Sequence, residues 1–188
     1  MNYALFAVAL ISFLIYVVTI KFVFSEDYGA DIRAKVVKIC TVLFALIHLW
    51  ILWRHPAHST RYAMLAFISY FAGLFIFFSA RKALSVYRST LSLSPDLPAW
   101  MLNKGIYSVV RHPFFLAFIL TWLGGALAEH CLRTSSTTII MMFLYWYAAK
   151  MQENRVEKSP LAVDYRHYKR ATGMFLPSFK QFRDHVYK

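Results

Sequence analysis

Long apolar runs alternate with short polar connections along this chain. Five hydrophobic segments stand out, at about Tyr3–Phe24, Val36–Trp53, Tyr62–Ala80, Pro113–Ala128 and Ser135–Ala149. Such runs are what a bilayer demands, because a spanning helix needs about 20 apolar residues. The first three are long enough to span. The last two are shorter, and at 1.5 Å per residue they fall a little below a roughly 30 Å core. Flanking aromatics and snorkelling cations are expected to make up that mismatch. A few residues around His130–Thr134 join the last two, which predicts an antiparallel hairpin. The first segment reads as a retained helix and not a signal peptide. No basic residue follows Met1, Tyr3–Ile20 exceeds a usual h-region, and no small-residue cleavage pattern precedes Lys21.

The remaining stretches have a different character. Arg81–Lys104 mixes Leu84, Val86, Tyr87, Leu91, Leu93, Trp100 and Met101 with Ser and Pro. This predicts an extension of the third helix, then a segment along the interface, with Pro95 and Pro98 breaking any continuous helix. The fifth helix is expected to continue to about Lys158, with Ser159–Pro160 stopping it and a short polar helix over Ala162–Arg170. There is no internal repeat and no low-complexity tract. The fold class predicted is all-α integral membrane, with about five transmembrane helices, the last two forming a hairpin. It forms one domain, 1–188. Three spans lie within 1–80, a cytoplasmic or interfacial connection covers 81–112, the hairpin covers 113–149, and 150–188 is a cytoplasmic C-terminal segment.

Composition agrees: 59% of the 188 residues are hydrophobic and 16% charged, a balance shifted toward lipid. The net charge of +12 raises the question of nucleic acid. Its distribution argues against that, since the basic residues sit beside apolar segments and in the tail, with no basic recognition helix. With the N-terminus outside and five crossings, 18 of the 21 Lys and Arg residues fall on the inner side, and Arg54, Arg61 and Arg133 on the outer. This is the positive-inside pattern, and it predicts a cytoplasmic C-terminus. Cys40 and Cys131 fall near opposite faces in this topology, so no bridge between them is expected, and neither has metal-ligand spacing.

Two stretches carry candidate chemistry. In the first, Gly105-Ile-Tyr107-Ser-Val-Val-Arg111-His112-Pro113, Pro113 is well placed as the first residue of the fourth helix. A helix N-terminus beside Arg111 suits an anion such as a carboxylate. The plainer alternative is that Arg111 and His112 anchor the helix at lipid headgroups. In the second stretch, Glu153-Asn154-Arg155 is followed by Tyr165-Arg-His-Tyr168 and Phe175-Leu-Pro177. An antiparallel hairpin brings His112 and Glu153 to the same end, where imidazole and carboxylate together suggest a site for a polar ligand. The alternative here is a surface network of Glu153, Arg155 and Lys158.

Gly-x-Tyr-x-x-x-Arg-His-Pro before a short hairpin, then Glu and a Tyr-x-x-Tyr…Pro tail, resembles the isoprenylcysteine carboxyl methyltransferase and phospholipid methyltransferase superfamily of integral membrane methyltransferases. The resemblance covers roughly residues 100–178. It implies an S-adenosylmethionine-dependent methyltransferase whose cofactor lies between hairpin and tail, on the cytoplasmic side, and whose lipid-linked or amphiphilic substrate arrives from the bilayer. Tyr107, Arg111, His112, Pro113, Leu116, Glu153, Tyr165 and Tyr168 are implied to hold the cofactor, with Leu176 and Pro177 closing the adenine pocket. Glu153 and Arg111 are implied to serve the transfer itself. The chain departs from the family pattern at Phe115, where Tyr is usual, at Ala117, where Gly is usual, and at Asn154, where a second Glu is common.

No Gly-x-Gly turn after a strand and no strand–helix alternation mark a soluble nucleotide-binding sheet. The rival activity is methylation of a phospholipid amine. A non-catalytic membrane protein that keeps the fold is favoured by Phe115 and Asn154, while no intramembrane charged pair or broken helix marks a transporter pathway. Arg54-His55-Pro56 repeats the tripeptide without its lead and reads as a decoy, with His58 a loop histidine. His48 is expected to pack or to hydrogen-bond between helices. The small residues Ala117, Thr121, Gly124, Gly125 and Ala128 form a ridge expected to pack against the fifth helix.

Overall fold

The computed structural model describes residues 2–23, 32–55, 60–92, 102–129 and 131–178. Regular structure among them is all helical: α1 (Asn2–Val23), α2 (Ile32–Arg54), α3 (Thr60–Ser92), α4 (Ile106–Val109), α5 (Pro113–Glu129), α6 (Leu132–Val156) and α7 (Ala162–Ala171). Each of the five apolar segments forms one helix, namely α1, α2, α3, α5 and α6. The third continues past Ala80 to Ser92 as expected, while the interfacial stretch with Pro95 and Pro98 lies outside the described residues. The single-turn helix α4 was not anticipated. α6 ends at Val156, short of Lys158, and Ser159 links it to α7. The Ser159 hydroxyl donates to Val156 O at 2.7 Å and accepts from Leu161 N at 3.2 Å.

Among the described residues two helices are long and apolar enough to cross a membrane, over Val36–Arg54 and Thr60–Ser85. The apolar parts of α1, Tyr3–Thr19, and of α5, Pro113–Glu129, are shorter. α6 has 25 residues, longer than the predicted Ser135–Ala149, but threonines at one end and charges at the other dilute its apolar character.

The chain forms two compact units, one from Met1–Leu74 with Phe118–Ala148 and the other from Phe75–Ala117 with Ala149–Lys188. The first unit buries several polar side chains beside its apolar core and exposes many large apolar ones. Ser12, His48, Ser69, Thr121, Thr134 and Thr138 are buried, while Leu14, Leu46, Trp50, Ile68, Phe71 and Phe143 are exposed. The buried hydroxyls link helices. Tyr16 and Thr121 are hydrogen-bonded at 2.8 Å, and Ser69 donates to Leu120 O at 2.6 Å. Thr138 donates to Trp122 O at 3.1 Å, and Trp122 Nε1 donates to the Tyr145 hydroxyl at 3.2 Å. Lower α5 numbers meet higher α6 numbers, since Phe118 also packs on Tyr145, so the two helices are antiparallel. A small-residue core of Ala9, Ala63, Ala66 and Ala128 with Leu5, Leu52 and Tyr70 lets the helices approach closely.

The ridge on α5 faces other partners than expected. Gly124 lies under Tyr70 and Ala66 of α3, Gly125 under His48 of α2, and Thr121 against Tyr16 of α1. The bulkier Phe118 and Trp122 reach α6 and also pack on α1, against Tyr16 and Phe13. Small residues therefore mark where α5 must approach several helices at once. His48 behaves as expected: its Nδ1 lies 3.5 Å from Thr137 Oγ1, and its ring meets Trp122 edge-on. Thr137 donates its own proton to Thr134 O, so His48 Nδ1 is the donor and Nε2 faces Gly125 bare. A Cβ at Gly125 would stand 1.6 Å from that nitrogen.

Gly125→Ala should therefore destabilise the protein by about 3 kcal/mol, at the upper end of overpacking costs. Thermal unfolding in detergent measures this, and a second change, His48→Ala, should recover part of the loss because the two sites are coupled. An unchanged melting temperature for Gly125→Ala would contradict this packing.

Candidate functional site

The second unit holds the motif residues. Gly105, which opens the first motif, adopts φ 60° and ψ −134°, a backbone state that only glycine enters without strain. A Cβ there would lie 3.6 Å from Ala83 Cβ, an ordinary contact, so conformation and not space selects the glycine. After α4 the chain extends at Val110 and forms an isolated parallel bridge with Gly173. Arg111 N donates to Gly173 O at 2.9 Å and His112 N to Met174 O at 3.2 Å. These bonds fasten the motif to the residues that follow α7. Pro113 then begins α5 as predicted, and Leu116 N donates to His112 O at 3.0 Å.

Glu153, on the last turns of α6, is the centre of the cluster. It is 1% exposed, and one oxygen, Oε1, accepts from Arg111 Nε at 2.9 Å and lies 2.9 Å from Arg111 Nη2. His112 Nε2 lies 3.3 Å from the same oxygen. Arg111 Nη1 donates to Lys169 O at 3.1 Å and to Thr172 O. The second oxygen, Oε2, has Lys169 Nζ at 3.3 Å without a well-aligned hydrogen bond.

Burial raises the Glu153 carboxyl pKa, but hydrogen bonds from His112 and Arg111, with their charges, outweigh burial and bring it to about 2. Glu153 is therefore ionised and can only accept, so His112 Nε2 carries the shared proton. Two tyrosines of α7 complete the cluster. Burial raises the Tyr165 hydroxyl well above the usual phenol range, and the Glu153 charge adds to it. Burial pushes Tyr168 up to about 12. Both stay protonated at neutral pH, and Tyr168 donates to Tyr107 O at 2.5 Å. The His112 ring stacks on Phe115 at 5.8 Å and meets Phe175 edge-on at 6.2 Å.

The structure thus brings together Tyr107, Arg111, His112, Pro113, Leu116, Glu153, Tyr165 and Tyr168. It does not gather Leu176 and Pro177, which are exposed. The turn that follows Gly173 folds the Leu176 carbonyl back over it, 1.8 Å from where a Cβ would stand, and the Leu176 side chain is left outside. The anion expected beside Arg111 is the protein's own Glu153. Neither plainer alternative fits, since the Arg111 side chain is only 8% exposed and that of Glu153 is 0%. Asn154 and Arg155 are exposed.

The sequence reading missed Lys169, Thr172 and Gly173. Lys169 lies four residues after Tyr165, on the neighbouring strip of α7. Thr172 and Gly173 act through backbone carbonyls, which no side-chain pattern reveals. Among the described residues no group of three or more His, Cys, Asp or Glu side chains is placed to hold a metal ion. Compared with known proteins, the chain matches no family model, no curated protein and no solved structure.

The depressed Glu153 carboxyl links stability to pH. Its folded value of about 2 lies below the ordinary 4.5, so its contribution, about 3 kcal/mol, is fully present above roughly pH 4.5. That contribution is lost as pH falls through about 2. Unfolding at neutral pH and near pH 3 should show the wild type losing more stability than Glu153→Gln, whereas parallel losses would contradict the pairing. Arg111→Ala, which strands the buried carboxylate, should cost about 3–5 kcal/mol at neutral pH by the same measurement.

Proposed function

We propose that this chain is an integral membrane methyltransferase that uses S-adenosylmethionine, similar to the isoprenylcysteine carboxyl methyltransferases, and acts on a lipid-linked or amphiphilic acceptor. About five helices cross the bilayer in this reading, α1, α2, α3, α5 and α6, with the N-terminus outside and the C-terminus cytoplasmic. The observation that carries the enzymatic reading is the convergence of two distant motifs, through Arg111, His112, Glu153, Tyr165 and Tyr168, into one cluster at the ends of helices. Support for the membrane comes from the many exposed large apolar side chains of the first unit and from the two candidate spans, most of whose residues are not buried.

The residues present fit such a cofactor on two counts. Glu153 Oε2 is a buried acceptor less closely engaged than Oε1, with the partly exposed Lys169 Nζ at 3.3 Å, and is suited to a polar or cationic group. The faces of Phe115 and Phe175 flank His112 and suit a flat ring or a dispersed positive charge. When bound, the cofactor supplies an electrophilic methyl on a sulfonium. The chain's own contribution is placement. Arg111 ties the tail to the hairpin, His112 is oriented by its hydrogen bond to Glu153, and Tyr168 holds the first motif through Tyr107 O. Holding two reactants in line accounts for most of the acceleration such a transfer needs. A Glu153 held near 2 is a weak base at neutral pH, which favours an acceptor that needs no proton removed over a protonated phospholipid amine.

The second reading is a non-catalytic ligand-binding protein of the same fold. It is favoured by the pairing of Arg111 with Glu153 Oε1 and by Phe115 and Asn154. Calorimetry with detergent-purified protein separates the two. Wild type is expected to bind S-adenosylmethionine, with His112→Ala and Glu153→Ala abolishing binding. A folded wild type that binds none at millimolar concentration would end the methyltransferase reading.

A further inference from the structure

Three basic side chains surround the Glu153 carboxylate, and they are not equivalent. Arg111 and His112 share Oε1 and are 8% and 10% exposed, whereas Lys169, which faces Oε2, is 33% exposed. Lys169 is also held elsewhere. Its Nζ donates to Glu157 Oε1 at 2.7 Å, and its approach to Glu153 Oε2 is longer, 3.3 Å.

A buried carboxylate oxygen cannot be left without compensation. Lys169 supplies charge compensation on the Oε2 side, beside the Tyr165 hydroxyl that also bonds the carboxylate. Removing Arg111 from Oε1 would break a buried, well-aligned pair. Moving Lys169 from Oε2 breaks a partly exposed and poorly aligned one, worth little. The lysine's flexible stem makes the movement easy, and Glu157 provides a second seat, also partly exposed at 33%.

We infer that Lys169 is a displaceable internal counter-ion, which occupies the Oε2 side of Glu153 until a cationic ligand takes its place while Nζ remains on Glu157. The inference rests on the proposed reading of this site as a binder of S-adenosylmethionine, which carries a sulfonium and an ammonium. It makes Lys169 and Glu157 determinants of charge selectivity. A positive ligand replaces the lysine and satisfies Oε2, whereas a neutral one leaves the lysine where it is.

The consequence is a pair of opposite effects. Lys169→Met removes the competitor and should tighten S-adenosylmethionine binding about two- to fivefold, the range of a partly exposed ion pair. Glu157→Gln removes the second seat, holds Lys169 on Glu153 and should weaken binding by a similar factor. Titration calorimetry on the full chain in detergent measures both, with 5′-methylthioadenosine as a neutral probe that neither change should move. Arg170→Gln alters the charge of the same helix without a contact to Glu153, so it should leave affinity unchanged, and melting temperatures confirm that each variant is folded. Weaker binding in both variants, equal shifts for the two probes, or tightening by Arg170→Gln equal to that of Lys169→Met would overturn the counter-ion role. In each of those cases the wild type still binds S-adenosylmethionine and the methyltransferase reading stands. A folded wild type that binds neither probe removes that reading, and the counter-ion role with it.

Discussion

A carboxylate taken out of water among helix ends has to be compensated by fixed partners, and much of the second unit is organised around doing this for Glu153. Its Oε1 receives Arg111 and His112. Arg111 in turn uses its remaining nitrogen, Nη1, on the carbonyls of Lys169 and Thr172. The position of α7 and of the turn after it thus follows from the neutralisation of one charge. The backbone pairing of Arg111 with Gly173 and of His112 with Met174 continues the same attachment without side chains. Breaking such a pair on one side costs more than the pair contributes when whole, because the remaining charge is stranded.

The first unit follows a complementary rule. Several of its hydroxyls and its histidine point inward beside Leu5, Tyr70 and Trp122, while Leu14, Leu46, Trp50, Ile68, Phe71 and Phe143 point outward. Lipid would favour the exposed apolar side chains and would require the buried polar groups to find partners within the protein. The close approaches this needs are supplied by Ala63, Ala66, Gly124 and Gly125. Buried Glu129, with Cys131 donating to its Oε2 at 3.3 Å, shows that the first unit also contains an ionisable group among its hydroxyls. The sequence reading did not single it out, because it lies at the boundary between an apolar run and a loop.

For function, the state of Glu153 matters more than its presence. An ionised carboxylate already holding Arg111 and His112 is suited to positioning and to meeting positive charge. It is unsuited to taking a proton at neutral pH. A methyl transfer to an anionic acceptor makes no such demand, so the cluster's chemistry and the proposed reaction are compatible. The flexible Lys169, set between Glu153 and Glu157, is the one cation in this group with somewhere else to go.

The sequence by itself determined the helices. Apolar run length and proline placement foretold α1, α2, α3, α5 and α6, the start of α5 at Pro113 and the short α7, because these features act over a few neighbouring residues. It also foretold that His112 and Glu153 would meet, since a short connection forces an antiparallel hairpin. Tertiary structure decided the rest. It turned the small-residue ridge of α5 toward α1, α2 and α3, left Leu176 exposed, closed Arg111 onto Glu153 instead of onto an outside anion, and brought in Lys169, Thr172 and Gly173. Each of these depends on which helix face meets which neighbour, or on backbone carbonyls that all residues share. A linear pattern of side chains contains neither.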